Sequence, residues 1–277
     1  MTDFQKIKAY YSVFDEQHRL EKAEGRLEFE VCKSIILQHL KKSDYILDLG
    51  GGAGKYSIEL AKQGYNVILA DLSERLLGQA KTYLEENNLP PLKSYDAVNA
   101  IDLSRYDNQS FNVVLLFGPL YHLLDSTERN KCISEVWRVL KPNGVIFASF
   151  IPYLSGAVGV VSRALYFPQQ VNEDNLSKVF ETGRFNNNAN VGFQEGYYPE
   201  SKEIEQLFRE HNFSQILLRS IRGFGYNKEE KLYELSEKNS SLFNKMIELI
   251  NKTSSNPAII ETCGHALYIG CKKPLCT

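Results

Sequence analysis

From Tyr45 to Ile151 short apolar runs alternate with stretches of helical period, and few folds accept that alternation. Parallel strands joined by right-handed helical crossovers do. Tyr45-Ile46-Leu47-Asp48-Leu49 reads as a short buried strand that ends at glycines. The spacing predicts a helix over 56–63 with Ile58, Leu60 and Ala61 inward, then a strand from Val67 to Ala70 closed by Asp71. Ser73 is placed to cap the next helix, whose Leu76, Leu77, Ala80, Tyr83 and Leu84 recur at helical spacing. A third strand is expected around Leu92 to Val98. The fourth, Phe111 to Phe117, is apolar on both faces through Val113-Val114-Leu115-Leu116, as a central parallel strand must be. Asp125 and Glu128 have the spacing of a capping box before a helix whose core face is Ile133, Val136, Trp137 and Leu140. Lys141-Pro142-Asn143-Gly144 is expected to stop that helix ahead of a fifth strand, Val145 to Ile151.

After Ile151 the pattern loosens. Residues 152–198 contain apolar pieces such as Ala157 to Val161 and the run Asn186-Asn187-Asn188-Ala189-Asn190, with no clean period, and read as an inserted lid. Regular structure is expected to return with a helix from about Ser201 to His211, a strand from Gln215 to Arg219, a helical stretch from about Lys228 to Asn251 and a last strand, Ala266 to Cys271. Upstream, residues 4 to 41 read as helices with Leu27, Val31, Ile35 and Leu40 among the inward positions. The chain of 277 residues, 43% apolar, is long enough to bury one large core. The expected division is a helical cap over 1–41, a ligand-binding α/β core over 42–151, the lid over 152–198, and the rest of the sheet with a helical insertion over 199–277.

The formal net charge of -2 does not draw the protein as a whole towards nucleic acid or anionic membranes. The start of the chain is polar, and no apolar run is long enough for a signal sequence or a spanning helix, so a cytoplasmic location is expected. The cysteines, Cys32, Cys132, Cys263, Cys271 and Cys276, are odd in number and scattered without a CxxC pair. This favours reduced thiols over a disulfide framework or a zinc site.

Open α/β sheets bind ligands at the C-terminal ends of their strands. There Asp48-Leu49-Gly50-Gly51-Gly52-Ala53-Gly54 turns a strand into a helix. Side chains at Gly50 and Gly52 would occupy the space of a molecule lying against the backbone, and the helix start offers unpaired N–H groups to a carboxylate. The dinucleotide fingerprint G-x-G-x-x-G is the poorer match, because its third glycine would fall at Lys55. Asp71, at the tip of the second strand, can accept both hydroxyl hydrogens of a ribose. Taken alone, it is equally suited to capping the following helix.

These segments resemble the class I S-adenosylmethionine-dependent methyltransferase superfamily. The resemblance covers roughly residues 40 to 151 and runs through Ile46 to Gly54, Val67 to Leu72, Asn99-Ala100-Ile101-Asp102-Leu103, Phe111 to Phe117 and Arg138 to Gly144. Gly118-Pro119-Leu120-Tyr121-His122-Leu123 resembles a bacterial subgroup acting on small molecules. The resemblance implies an α/β, Rossmann-like seven-stranded sheet, mostly parallel with the last strand antiparallel, helices on both faces and a lid inserted after strand five. It implies S-adenosylmethionine as cofactor and S-adenosylhomocysteine as product. Asp48, Gly50, Gly51 and Gly52 would line the methionine moiety, Asp71 would hold the ribose and Leu72 would pack on the adenine, with Asn99, Ala100 and Phe117 beside it. Asn99 stands where the family commonly has Asp, and its amide oxygen can still accept from the adenine amino group. Asn112, and Pro142-Asn143-Gly144 in place of Pro-Gly-Gly, read as structural departures.

Methyl transfer asks mainly for an acceptor held in line behind the methyl carbon. His122 is a candidate base or orienting group, with Tyr121 beside it, because an unperturbed imidazole titrates near ~6.5. A hydrogen-bonded structural histidine is the competing reading. Tyr10, Tyr11, Arg19 and Arg26 lie on helices that cover the cofactor in such folds, and an arginine there can pair with the methionine carboxylate. Tyr166, Phe167, Phe193, Tyr197 and Tyr198 either line an apolar acceptor pocket or pack in the ordinary way. No Asn-Pro-Pro-Tyr follows strand four, which argues against exocyclic amine targets. A small-molecule acceptor at an O, N or S atom leads; a tRNA-modifying enzyme and a catalytically silent cofactor-binding partner remain the other classes.

Overall fold

The computed structural model describes residues 2–13, 22–187 and 193–273. Helices α1 (Phe4–Val13) and α2 (Ala23–His39) precede the sheet. Strands β1 (Tyr45–Leu49), β2 (Asn66–Asp71), β3 (Ser94–Ala97), β4 (Phe111–Phe117) and β5 (Leu140–Phe150) follow, with helices α3 (Lys55–Lys62), α4 (Glu74–Glu86), α5 (Pro119–His122) and α6 (Ser126–Val139) between them. Next come α7 (Tyr153–Tyr166), α8 (Glu173–Thr182), the paired strands β6 (Arg184–Asn186) and β7 (Glu195–Tyr197), and α9 (Ser201–Glu210). β8 (Phe213–Ser220), α10 (Glu229–Lys238), α11 (Ser240–Thr253), α12 (Pro257–Thr262) and β9 (Ala266–Lys272) complete the described chain.

Seven strands form one sheet in the order β3-β2-β1-β4-β5-β9-β8. β9 runs antiparallel to both its neighbours, and every other pairing in this sheet is parallel. The order explains why β4 shows no polar alternation. Val114 and Leu116 face a core built with Cys132, Ile133 and Val136 of α6 and Phe208 of α9. Val113 and Leu115 face the opposite core, built with Ile35 and Ile36 of α2, Leu60 of α3 and Leu77 of α4. Each such fully buried Val or Leu stabilises the fold by roughly 1.5–3 kcal/mol.

Several local expectations are corrected. The predicted stop at Lys141-Pro142-Asn143-Gly144 is an irregularity inside β5, where Leu140 already pairs with Phe111 and the register resumes at Val145. Asn143 takes a left-handed conformation, φ 62°, so the chain turns there without leaving the ladder. Asp125 does cap α6, accepting from the Thr127 N–H at 2.8 Å, but Glu128 does not close the box. Its carboxylate accepts instead from the N–H and hydroxyl of Thr2 and so anchors the segment leading into α1. The single helical stretch expected over 228–251 is two helices. Asn239 breaks it with a non-helical backbone, φ -154° and ψ 83°, and its side chain accepts from Leu242 N to start α11.

The segment 152–198 holds two helices and a strand pair around a small core of Ala157, Val160, Val179, Phe185 and Tyr198. Its helical period was illegible because α7 is apolar on its outer side too, with Leu154, Val158, Val161 and Leu165 exposed. Ala189, Asn188 and Asn190 of the asparagine run lie outside the described residues, as does Cys276. Cys32, Cys132, Cys263 and Cys271 are free thiols. No described helix is long and apolar enough to cross a membrane.

One buried cation ties the last strand to this framework. Lys272 of β9 is 3% exposed, and its ammonium donates to the carbonyls of Trp137 and Leu140 at 2.6 Å each. The Trp137 carbonyl lies in the last turn of α6 and the Leu140 carbonyl just past its end, where no helical N–H satisfies the chain and the negative end of the helix dipole lies. Burial pulls the Lys272 pKa down, yet the ammonium also lies 3.8 Å from the centre of the Trp137 ring. Lys272→Met, which keeps the stem and deletes the donors, is expected to cost about 1–3 kcal/mol. The urea midpoint of unfolding reads this; an unchanged midpoint would show that water satisfies those carbonyls equally well.

Candidate functional site

β1 ends by folding back against β2. The Gly50 and Gly51 N–H groups both donate to the Ala70 carbonyl, at 2.8 and 3.3 Å, and Gly52 N–H donates to Asp71 Oδ2 at 2.9 Å. Gly50 has φ +76°, and a Cβ there would lie 2.6 Å from Cδ of Pro119. At Gly51 a Cβ would meet Leu69 at 2.5 Å and the Asp48 carboxyl carbon at 2.6 Å. The sequence reading assigned bare backbone to ligand contact. At these two positions the protein's own packing already demands it.

Above the bend is a cavity at the C-terminal rim of the sheet. Gly50, Gly52 and Asp71 line it, with Leu72, Leu76, Val98 and Ala100 as an apolar wall, Phe117 at the end of β4 and Gly118 and Tyr121 just beyond it. Phe4, Ile7, Lys8 and Tyr11 complete the lining from one face of α1. Of these four only Tyr11 was anticipated. The spacing 4, 7, 8, 11 is the signal that would have found the rest, since these positions share a helical face. Arg75 of α4, also missed, donates through its guanidinium to the Tyr11 carbonyl and ties α1 to α4.

Asp71 is left open by the sequence between capping α4 and holding a ribose. Its Oδ1 accepts from Ser73 N at 2.8 Å, at the start of α4, while the residue also lines the cavity. Asp48 is fully buried beneath the bend and is not among the lining residues. Its Oδ2 accepts from Ser57 Oγ at 2.6 Å and Oδ1 has no hydrogen-bond partner among the described residues. Burial, with the nearby Asp71 charge adding to it, raises its pKa to about 6. Gly51 is likewise packed on protein atoms. Asn99 and Ala100 line the cavity, but Asn99 Oδ1 already accepts from Ile101 N at 3.2 Å, so the oxygen assigned to adenine is engaged by the backbone.

His122 lines the cavity and is 9% exposed. Its Nε2 is 2.9 Å from the Tyr11 hydroxyl, and Nδ1 has no partner among the described residues. Burial lowers its pKa to about 4, which corrects the expectation of an imidazole poised near neutrality. Tyr121 stacks at an angle beside it, ring centres 4.9 Å apart. Arg26 is not brought to the cavity. It is exposed, with its guanidinium 4.3 Å over the Tyr233 ring of α10. Arg19 lies outside the described residues. Among the aromatic residues expected to line an acceptor pocket, Phe193 packs on His122 and Tyr121 at 5.3 and 6.2 Å. Tyr166 and Phe167 face solvent, Tyr197 lies under the Arg129 guanidinium, and Tyr198 is buried in the core of its own segment.

Comparison with known proteins agrees with this geometry. Residues 46–144 match the family model described as a methyltransferase domain. The ubiquinone/menaquinone biosynthesis C-methyltransferase UbiE of Zymomonas mobilis is 35% identical over 107 residues, 39% of this chain and 42% of that protein. The tRNA 5-carboxymethoxyuridine methyltransferase of Escherichia coli K12 is 29% identical over 105 residues, 38% of this chain and 39% of that protein. The chain thus spans about two fifths of the length of these curated relatives. A crystal structure described as a SAM-dependent methyltransferase, from Methanosarcina mazei, superimposes with a TM-score of 0.61 at 22% identity, covering 86% of this chain and 97% of that one. The matched residues hold β1 from Ile46 through β4 and every loop between them, so it is this stretch of the chain that is similar to known methyltransferase domains.

Proposed function

We propose that the protein transfers the methyl group of S-adenosylmethionine to an O, N or S atom of a small molecule. The observation that carries this reading is one cavity that sets a carboxylate, a side-chain-free bend and an apolar slot side by side at the C-terminal rim. The residues present fit the cofactor. Leu72, Leu76, Val98 and Ala100 would flank the adenine, Asp71 would accept from the ribose hydroxyls, and Gly50 and Gly52 would admit the methionine end. The bound sulfonium supplies an activated methyl group. The protein's part is orientation and exclusion of water, and orientation alone accounts for about 7–11 kcal/mol of barrier in well-placed systems. α1, tied down through Tyr11, Arg75 and Thr2, supports exclusion by closing one side of the cavity.

A neutral, buried His122 suits the orienting role better than that of a base. Its bond to Tyr11 links the loop after β4 to α1. The small-molecule acceptor is supported by the mild negative charge and by the relative named for quinone biosynthesis. The relative named for tRNA favours a second reading, in which salt-sensitive retention of tRNA is expected.

Asp71→Ala is expected to weaken S-adenosylhomocysteine binding at least about tenfold by calorimetry, the loss of one charged hydrogen-bond acceptor. Equal affinity in the variant would remove the basis of the proposal. His122 gives a pH signature. Its folded pKa, about 4, lies below the ordinary 6.5, so the unfolded chain binds more protons between these values. The stability it contributes is therefore complete above about 6.5 and lost as the pH falls towards 4. Asp48, raised to about 6, has the opposite slope in part of that window. The comparison is accordingly wild type against His122→Asn: the variant should lose less stability in acid, measured by urea unfolding at pH values across the window.

A further inference from the structure

A second set of ionisable groups lies at the same rim, between the end of β8 and the start of β9. His265 Nδ1 is 3.1 Å from Glu28 Oε2 of α2. A carboxylate only accepts, so Nδ1 carries the hydrogen and Nε2 keeps its lone pair. No protein hydrogen bond reaches Nε2 among the described residues, and the side chain retains 19% exposure. Glu28 is itself held. Arg222 Nε lies 4.0 Å from the same carboxylate oxygen, and Arg222 Nη1 donates to Glu229 Oε1 of α10 at 2.9 Å. Arg222 is nine-tenths buried and its Nε has no hydrogen-bond partner among the described residues. Gly264, next to His265, lets this guanidinium approach, because a Cβ there would lie 2.6 Å from Nη2.

The imidazole faces Tyr121 of α5 at 5.7 Å between ring centres, and Tyr121 lines the cofactor cavity. Further rings continue this wall: Phe193 against Tyr121 at 6.2 Å, and Tyr56 of α3 against the cavity residue Phe117 at 5.0 Å. A carboxylate-oriented imidazole with a free Nε2 is the arrangement of a general base, the carboxylate fixing the tautomer and stabilising the imidazolium. His122 lacks that arrangement, since it has no carboxylate partner and burial holds it neutral.

The geometry points to His265, oriented by Glu28, as the base that takes the proton from an aromatic hydroxyl acceptor held beside Tyr121. This rests on the methyl-transfer reading and names the acceptor class. A phenolic hydroxyl, with an ordinary pKa of about 10, is protonated at neutral pH and needs such a base, whereas a neutral amine does not. The acceptor O–H bond breaks as its proton passes to Nε2, and the oxygen bonds to the methyl carbon. The methyl–sulfur bond breaks with its electron pair returning to sulfur, and the imidazolium later gives its proton to water. Among the described residues, Glu28 bonds the imidazole, Arg222 lies against that carboxylate with Glu229 on its far side, and the Tyr121 ring faces the imidazole.

Two measurements test this. In 15N-histidine-labelled protein saturated with S-adenosylhomocysteine, His265 should show the tautomer protonated at Nδ1, and Glu28→Gln should change that signature. A proton found on Nε2 at neutral pH overturns the assignment. Transfer of a tritiated methyl group is then followed at about pH 8 to phenol and to 4-nitrophenol, which is already largely ionised there. His265→Gln should bind S-adenosylhomocysteine within about twofold of wild type and lose roughly 100-fold or more in transfer to phenol, with a much smaller loss on 4-nitrophenol. Equal losses on both acceptors, no loss on either, or no transfer to either by wild-type protein that still binds S-adenosylhomocysteine overturns the proposal. Absence of S-adenosylhomocysteine binding by the wild type would instead overturn the methyltransferase reading beneath it.

Discussion

Three backbone N–H groups of the bend after β1 are clasped by the end of β2, two by the Ala70 carbonyl and one by the Asp71 carboxylate. This clasp decides where the rest of the binding rim lies. Once the bend is drawn against β2, Asp48 is trapped below it and the start of α3 is aimed across the rim. The second Asp71 oxygen opens α4 by accepting from Ser73. One carboxylate therefore joins two strands and a helix while still lining the cavity, and its chemistry towards a ligand cannot be separated from its structural duty.

Buried polar atoms left unpaired cost of the order of 1–3 kcal/mol each, and a fold keeps few of them. Among the described residues four such side-chain atoms occur, and three of them, on Asp48, His122 and Arg222, belong to the rim where the glycine bend and the ends of the parallel strands meet. The fourth, Trp137 Nε1, is at the other end, beside Lys272. The opposite shifts of Asp48 and His122 have one cause. Desolvation penalises whichever form is charged, so the carboxyl rises and the imidazole falls.

Much of this was legible in the chain. Period-two burial fails in Val113 to Leu116 because both faces of β4 are covered, and that failure identifies a central parallel strand without coordinates. The glycine run and Asp71 at the tip of the next strand are adjacent in space because β1 and β2 pair in parallel register, Leu49 opposite Ala70. What stayed hidden has physical reasons. α7 could not be read as a helix because its outward residues are as apolar as its inward ones. Glu128 obeyed the capping-box spacing but found a better donor set 126 residues away, at Thr2. Arg26 has the charge to bind a carboxylate, and only the rotation of α2 turns it to Tyr233 instead.

The sequence by itself determined the alternating framework, the bend and the acidic strand tip, because each depends on residues close in the chain or on neighbouring strands of one parallel unit. Tertiary structure alone decided which side chains meet across the rim. Tyr11 reaches His122, and His265 reaches Glu28 across 237 positions, through the docking of helices onto a finished sheet. Such contacts follow from helix rotation and from burial of each helix's apolar face against strands far away in the chain. No local pattern carries that information, and neither does it carry the desolvation that moves the pKa of His122.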